Sequence, residues 1–211
     1  MNSILRRAQG SARTVSIAAW MLFCLVAPAF AAPTALIDDF EDQTANKVGG
    51  RSSTYVMAPS RSLAVKVTEG AHGGAKALML KYDKKDKGGP YDSGGWCGYY
   101  TLVKAGPRYF DVTIYQSLTF WVKGEKGDEN LMVGLADKHW DEVGDSVKSE
   151  EIGKYLASGK ITTEWQKATV PLSEFMLEKK ELASIALCFE GSLFPGRAGK
   201  GTVFVDDMMF E

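Results

Sequence analysis

Apolar and polar residues alternate along much of the chain, most clearly between residues 117 and 124. Leu118, Phe120 and Val122 fall on one face of an extended chain, and mostly polar residues fall on the other. This is the period of two that a pleated strand imposes. Gly124 and the charged residues after it form a turn signal. The pattern predicts a central, half-buried β-strand from Ser117 to Gly124.

Other short segments with strand-like composition are separated by turns rich in Gly, Pro and charged residues. Many short strands with turn signals between them indicate a β-sandwich or barrel. Residues 137–151 read as a long polar loop, and no repeat or linker divides the chain. The predicted strands are Ala35–Phe40, a segment around Tyr55 and Met57, Leu63–Val67, Leu78–Tyr82, Trp96–Leu102, Ser117–Gly124, Leu131–Leu135, Ile152–Leu156, Trp165–Leu172, Ile185–Phe189 and Thr202–Phe210.

The first residues differ in composition from the rest of the chain. A region with three arginines precedes an apolar run (15–26) and a small-x-small sequence that ends at Ala31. These are the features of a secretory signal peptide. We therefore predict a signal peptide over residues 1–31, one domain over 32–211, and export to the periplasm or the cell exterior. No later apolar run approaches the roughly 20 residues of a membrane span, so none is predicted.

The charge balance argues against a nucleic-acid partner. The arginines of the leader are three of the 25 basic residues and none of the 26 acidic residues lies there, which leaves the remainder about four charges negative. Binding to phosphates requires clustered Lys and Arg. Two cysteines, Cys97 and Cys188, lie in the predicted domain. In an exported protein, such a pair can form a disulfide bond. Both also suit buried strand positions as free thiols, so the sequence leaves a disulfide open.

No arrangement of residues typical of an enzyme is present. Of the two histidines, His72 lies in a Gly-rich turn and His139 in an acidic loop, and neither has metal-ligand spacing to a second His or to the cysteines. The sequence contains no nucleophile elbow and no phosphate-binding glycine loop. The carboxylates near His139 could form a glycosidase pair. However, loops of exported domains commonly carry acidic residues only because these residues are well solvated. We predict a protein without catalytic activity.

The chain begins and ends with acidic doublets inside apolar strands, at Asp38-Asp39 and at Asp206-Asp207. Buried carboxylates are costly unless something neutralises them. Either these doublets lie at solvated strand ends, or carboxylates from both termini converge on a hard cation such as calcium, which takes 6 to 8 oxygen ligands.

Four segments, in this order, resemble the jelly-roll domains of the galactose-binding-like superfamily, and within it the family 11 carbohydrate-binding modules most of all. The resemblance extends from Ile37 to Glu211. It implies an all-β fold, a jelly-roll β-sandwich of two antiparallel sheets in which the first and last strands are neighbours. The segments are Asp38–Glu41, Ser117–Gly124, Glu164–Phe175 and Gly201–Asp207.

The resemblance also implies a structural calcium ion between the first and last strands. The positions that match its side-chain ligands are Glu41 and Asp206, with Asp39 as an alternate. An ion there would stabilise the fold and would not touch the ligand.

A sugar site in such modules combines flat rings, which pack on the C–H face of a pyranose, with directed hydrogen-bonding groups. The residues near loops that suit this role are Tyr91, Trp96, Tyr99 and Trp140 for stacking, and Asp92 and His139 for hydrogen bonds. The predicted function is a secreted, non-catalytic module that binds a polysaccharide or oligosaccharide.

A structural or protein-interaction domain with an envelope protein partner is the alternative function, because aromatic residues in strands are often core residues. Burial of Trp96, Tyr99 and Trp140 together would favour that alternative.

Overall fold

The computed structural model describes residues 32–211, which fold into two antiparallel β-sheets packed face to face. These two sheets form the predicted all-β jelly-roll sandwich. The signal peptide predicted for residues 1–31 lies outside the described residues. Its strands are β1 (Ala35–Asp38), β2 (Ser52–Val56), β3 (Arg61–Val67), β4 (Ala77–Lys84), β5 (Cys97–Leu102), β6 (Ser117–Gly124), β7 (Met132–Asp137), β8 (Val147–Glu151), β9 (Gln166–Pro171), β10 (Leu182–Phe189) and β11 (Gly199–Phe210).

One sheet has the strand order β3-β4-β11-β6-β9, with β1 added against β11, and the other has the order β2-β5-β10-β7-β8. The first and last strands are neighbours, as predicted, because Ala35 lies opposite Phe210. At one side of the sandwich the edge strands are β2 and β3.

The core lies between the sheets and is built from alternate residues of their strands. Leu118, Phe120 and Val122 of β6 have no exposed surface, which confirms the predicted central strand. Burying each such side chain contributes about 1.5–3 kcal/mol. Both cysteines are also buried, and both are free thiols.

The polar segment 137–151 is more ordered than the sequence indicated. It contains a short helix, α1 (Lys138–Val143), and the edge strand β8. Asp137 caps the helix by accepting a hydrogen bond from the Trp140 amide (3.1 Å), and Gly144 ends it with a φ of 79°, a left-handed conformation that glycine adopts without strain.

One further local prediction needs correction. The segment predicted as a strand at 152–156 begins with a 3₁₀ turn, Ile152–Tyr155. Its apolar residues Ile152, in the turn, and Leu156, directly after it, are buried without forming a strand. Among residues 32–211, no helix combines the length and the apolar character needed to cross a membrane.

Candidate functional site

The outer face of the five-stranded sheet carries a cleft, the outer cleft, whose floor is made of small residues. Ala186 in the central strand β10 lies opposite Gly134 of β7 on one side and Tyr100 of β5 on the other. Ser184 lies opposite Ala136 in the next row on the same face. Small side chains on the middle strands and larger ones on the flanking strands leave a cleft of about 500 Å³.

Aromatic residues of β2, of β5 and of the position directly before β5 form one wall of the outer cleft. Tyr55, Trp96 and Tyr100 line it, and all three are half-buried. Gly98 makes this arrangement possible, because a Cβ at that position would lie 2.5 Å from the Tyr55 hydroxyl. Burial, with the Cys188 thiol beside it, raises the pKa of Tyr55 well above its ordinary value, so the phenol is a neutral hydrogen-bonding group at neutral pH.

Charged residues line the rest of the outer cleft. Lys104, in the loop after β5, forms an ion pair with Asp141 of α1. Lys148 of β8 pairs with Asp145 and lies 3.5 Å from Glu190. These pairs fix ammonium donors and carboxylate acceptors around the floor.

The Lys148 pair also favours the ionised form of Asp145. Partial burial opposes ionisation of Asp145, but the Lys148 ammonium and the Ser146 amide outweigh it, and the pKa of Asp145 lies below its ordinary value. Conversely, burial opposes the charge of Lys148, but Asp145 and Glu190 outweigh it and raise the pKa of Lys148. A glycosidase acid needs a carboxyl whose pKa is raised. Asp38 and Asp206, whose pKa values are raised by burial, do not line this cleft.

Of the six predicted ligand residues, Trp96 lies in the outer cleft and Tyr99 does not face it. Tyr99 is 3% exposed and points between the sheets. The physical reason is the alternation of an extended chain: Gly98 and Tyr100 of β5 share one face with Trp96, which directly precedes the strand, and Tyr99 belongs to the other face.

The remaining four predicted residues do not line the outer cleft. Tyr91 is 91% exposed in the loop before β5. Asp92 stabilises that loop by accepting a hydrogen bond from the Gly88 amide (2.7 Å). His139 and Trp140 lie on α1, where their rings contact each other edge to face. Their neighbour Asp141 reaches the cleft instead.

Sequence reasoning missed most of the lining. A usable signal was present, because β7 and β10 carry small residues at alternate positions, Gly134 with Ala136 and Ser184 with Ala186. Small residues on one face of an apolar strand mark a close approach or a groove. The missed residues with polar or aromatic side chains are Tyr55, Tyr100, Lys104, Asp141, Asp145, Ser146, Lys148, Ser184 and Glu190.

The three residues predicted to bind calcium act as hydrogen-bond and ion-pair acceptors. Glu41 Oε1 accepts hydrogen bonds from the amides of Ala75 (2.6 Å) and Lys76 (2.7 Å). Asp206 Oδ2 accepts from the amides of His72 (2.9 Å) and Gly73 (3.0 Å).

Asp39 is separately paired with Lys47 at 3.0 Å. Backbone N–H groups donate to Glu41 Oε1 and Asp206 Oδ2, and an ammonium group pairs with Asp39 Oδ2. As arranged, these oxygens face N–H donors and do not converge on one cation. Within residues 32–211, no group of three or more acidic, His or Cys side chains is placed to hold a metal. The calcium ion stays a prediction.

The fold and the outer cleft define a jelly-roll β-sandwich of the ligand-binding class. The sequence profile of carbohydrate binding domain 30 matches residues 38–211. The chain belongs to this family of carbohydrate-binding modules.

Solved structures share this fold, at identities that inform on the fold alone. The family 30 module of a cellulosomal cellulase of Clostridium thermocellum is 20% identical (TM-score 0.60; 85% of this chain, 97% of that chain). The family 11 module of the same organism, in complex with a β-1,3-1,4-mixed-linked tetrasaccharide, is 15% identical (TM-score 0.63; 86% and 96%). A β-1,2-glucanase from Parabacteroides distasonis is 15% identical (TM-score 0.58), and the match covers 83% of this chain and 24% of that chain. No curated protein matches the chain.

Proposed function

We propose that the protein is an exported, non-catalytic module that binds a neutral β-linked glucan chain in the outer cleft. The observation that carries this proposal is the combination, on one sheet face, of a small-residue floor, an aromatic wall and fixed polar groups. The volume of about 500 Å³ lies within the ~300–1,000 Å³ of small-molecule sites.

The chemistry of the two kinds of wall matches the two surfaces of a sugar. The rings of Trp96 and Tyr100 offer apolar faces to the C–H groups of a pyranose. Lys148, Asp145 and Glu190 offer donors and acceptors to its hydroxyls. Because each of these groups is already held in an ion pair, little side-chain entropy is lost when a sugar binds.

The balance of charge favours a neutral ligand. Three carboxylates and two ammonium groups line the outer cleft, so it has no excess of positive charge to attract an acidic polysaccharide. The similar family 11 module was solved with a β-1,3-1,4-mixed-linked tetrasaccharide, and the similar β-1,2-glucanase acts on another β-glucan. These likenesses support a β-glucan as the first ligand to test.

The alternative function, a protein-interaction domain, receives less support. It requires Trp96, Tyr99 and Trp140 all to be buried, whereas Trp96 and Trp140 are only half-buried. It also requires a sheet face filled by bulky side chains, whereas Ala136, Ala186 and Ser184 leave the face open.

Binding to soluble polysaccharides tests the proposal. Affinity electrophoresis and isothermal titration calorimetry would use mixed-linked β-1,3-1,4-glucan and β-1,2-glucan, with an α-glucan and an acidic polygalacturonate for comparison. We expect retardation and measurable heat with at least one β-glucan and none with polygalacturonate. If no β-glucan is bound, the proposal is wrong.

A variant that fills the floor locates the site. Ala186 is 8% exposed and its side chain points into the outer cleft, so Ala186→Phe should reduce β-glucan affinity more than tenfold. Ala198→Phe is the matched control, because Ala198 is exposed and lies outside the cleft. Equal affinities for the two variants would place any glucan site elsewhere.

A further inference from the structure

The ion pair between Lys104 and Asp141 joins the two sides of the outer cleft at one end. Lys104 lies two residues after β5, and Asp141 lies on α1, which follows β7. Strand β10 runs between β5 and β7 in the sheet. Because both side chains line the cleft, the pair crosses β10 on the outer face of the sheet. We name this ion pair the cross-bridge.

The cross-bridge lies over the first residues of β10. The Lys104 amide donates a hydrogen bond to the Ala183 carbonyl (3.2 Å), and Asp137, which caps α1, lies opposite Leu182. Ser184 is the next residue of β10 and belongs to the floor of the outer cleft. The cross-bridge therefore lies just beyond the floor, at the end of the cleft nearest Ser184.

Both halves of the cross-bridge are held in place. The Lys104 ammonium lies 5.7 Å from the centre of the Tyr109 ring, which is a cation–π contact. On the other side, Asp137 accepts a hydrogen bond from the Glu178 amide (2.7 Å), which fixes the start of α1. The side chains of Lys104 and Asp141 are 25% and 22% exposed, so water screens this pair less than it screens a fully exposed one.

The opposite end of the outer cleft has no such connection. Trp96 and Glu190 line that end, and Glu190 pairs with Lys148 on its own side of the cleft. Among residues 32–211, no ion pair or side-chain hydrogen bond joins the two walls there. At about 3.4 Å per residue, the path along the floor from Ser184 to Glu190 is about 20 Å long. The cleft is thus a short groove that the cross-bridge closes at one end.

The closed end carries unused hydrogen-bonding capacity. Ser184 is half-buried, and its hydroxyl makes no hydrogen bond within the described part of the chain, residues 32–211. The terminal unit of a glycan has one more free hydroxyl than an internal unit, because no further linkage occupies that position. The Ser184 hydroxyl, the Lys104 ammonium and the Asp141 carboxylate offer a donor or an acceptor to this additional group.

We propose that the outer cleft holds the end of a glucan chain, with the terminal unit against the cross-bridge, and does not bind the interior of the polymer. A groove that is open at both ends can accept an internal segment, whereas a groove closed at one end requires the glucan to end inside it. This inference rests on the proposed function, because it specifies which part of a β-glucan the outer cleft takes.

The stoichiometry of binding tests this inference. Isothermal titration calorimetry would use linear fractions of increasing, known length, prepared from mixed-linked β-1,3-1,4-glucan and from β-1,2-glucan. We expect one protein molecule per glucan chain in every fraction that binds, because each chain has one end of the required kind. A number that rises in proportion to glucan length would overturn the inference and leave the proposed function intact. No heat with any fraction would refute the proposed function, and the inference with it.

Variants without the cross-bridge should bind as an open groove. We expect Lys104→Ala and Asp141→Ala each to place several protein molecules on a long glucan chain, and Lys104→Arg, which keeps the ion pair, to place one. Lys167→Ala is the matched control, because Lys167 pairs with Glu211 (2.7 Å) outside the cleft, and it should also place one. Circular dichroism checks that each variant is folded. One molecule per chain, or no binding, in folded Lys104→Ala and Asp141→Ala would contradict the inference.

Discussion

Cys97 and Cys188 lie on neighbouring strands of one sheet and point to opposite faces of it. Cys188 lies opposite Gly98, and Phe189 lies opposite Cys97. Residues that face each other across two strands share a side of the sheet, and the next residue along takes the other side. The sheet backbone therefore separates the two thiols, and their Cβ vectors diverge in a way that no disulfide geometry accommodates.

We expect both thiols to be free and protected in the folded protein. Burial raises the pKa of Cys97 to about 11 and that of Cys188 to about 12, so neither forms the reactive thiolate at neutral pH. Alkylation under native conditions should spare both, and alkylation after unfolding without reductant should label both. A native disulfide would add about 2–4 kcal/mol, so a marked fall of Tm in reductant would contradict this expectation.

The aromatic wall should account for much of the affinity for glucan. We expect Trp96→Ala and Tyr100→Ala each to weaken β-glucan binding about tenfold or more, since a buried aromatic contact at a binding hot spot is worth about 2 kcal/mol. Tyr91→Ala should bind like the natural chain, because that ring is 91% exposed and lies outside the outer cleft. Titration calorimetry of the three variants checks this. Loss of binding in Tyr91→Ala alone would favour the loop that the sequence indicated.

The sequence predicted the sandwich well because strand alternation and core burial have the same cause. Leu118, Phe120 and Val122 alternate because one face of β6 is buried, so their pattern reports the fold directly. The site is different, since β5 presents aromatic rings on both of its faces, Tyr99 inward and Tyr100 outward. Which face is open depends on the packing of the second sheet, and this information is not in the local sequence.

The acidic residues at the two ends show the same limit. Their positions resemble those of a calcium site, but Glu41 and Asp206 accept hydrogen bonds from loop 72–76, which follows β3. Whether a carboxylate meets a cation or an N–H group depends on the path of a loop that is distant in sequence.

These contacts lead us to expect a stability that does not depend on calcium. Calcium at a hundred times its dissociation constant would stabilise the fold by about 2.7 kcal/mol, and we expect Tm to be the same in excess calcium and in EDTA. Glu41→Gln should lower the free energy of unfolding by roughly 1–3 kcal/mol in both conditions, because two backbone amides lose a charged acceptor. Differential scanning calorimetry measures both effects. A rise of Tm in calcium that Glu41→Gln removes would establish the ion site.

Asp38 should make the protein less stable as pH rises from acid toward neutral. Burial raises the pKa of Asp38 above its ordinary value of 3.8, and the Phe40 amide and Lys66 offset this only in part. Since the folded protein holds this proton more tightly than the unfolded chain, Asp38 contributes stability that is fully present below pH 3.8. This contribution is lost as pH rises through the folded-state pKa.

Two Asp→Asn variants with opposite expected signs isolate this contribution. Asp38→Asn keeps the oxygen that accepts from the Phe40 amide (2.8 Å) and removes the titration. Its free energy of unfolding, measured in urea, should therefore rise relative to the natural chain as pH increases from about 3 to about 7. Asp42 is exposed, and the hydrogen bond that it accepts from Lys47 Nζ (3.0 Å) lowers its pKa. The free energy of unfolding of Asp42→Asn should therefore fall relative to the natural chain over the same pH range. If the two variants followed the same pH dependence, the buried carboxyl of Asp38 would not be the origin of the effect.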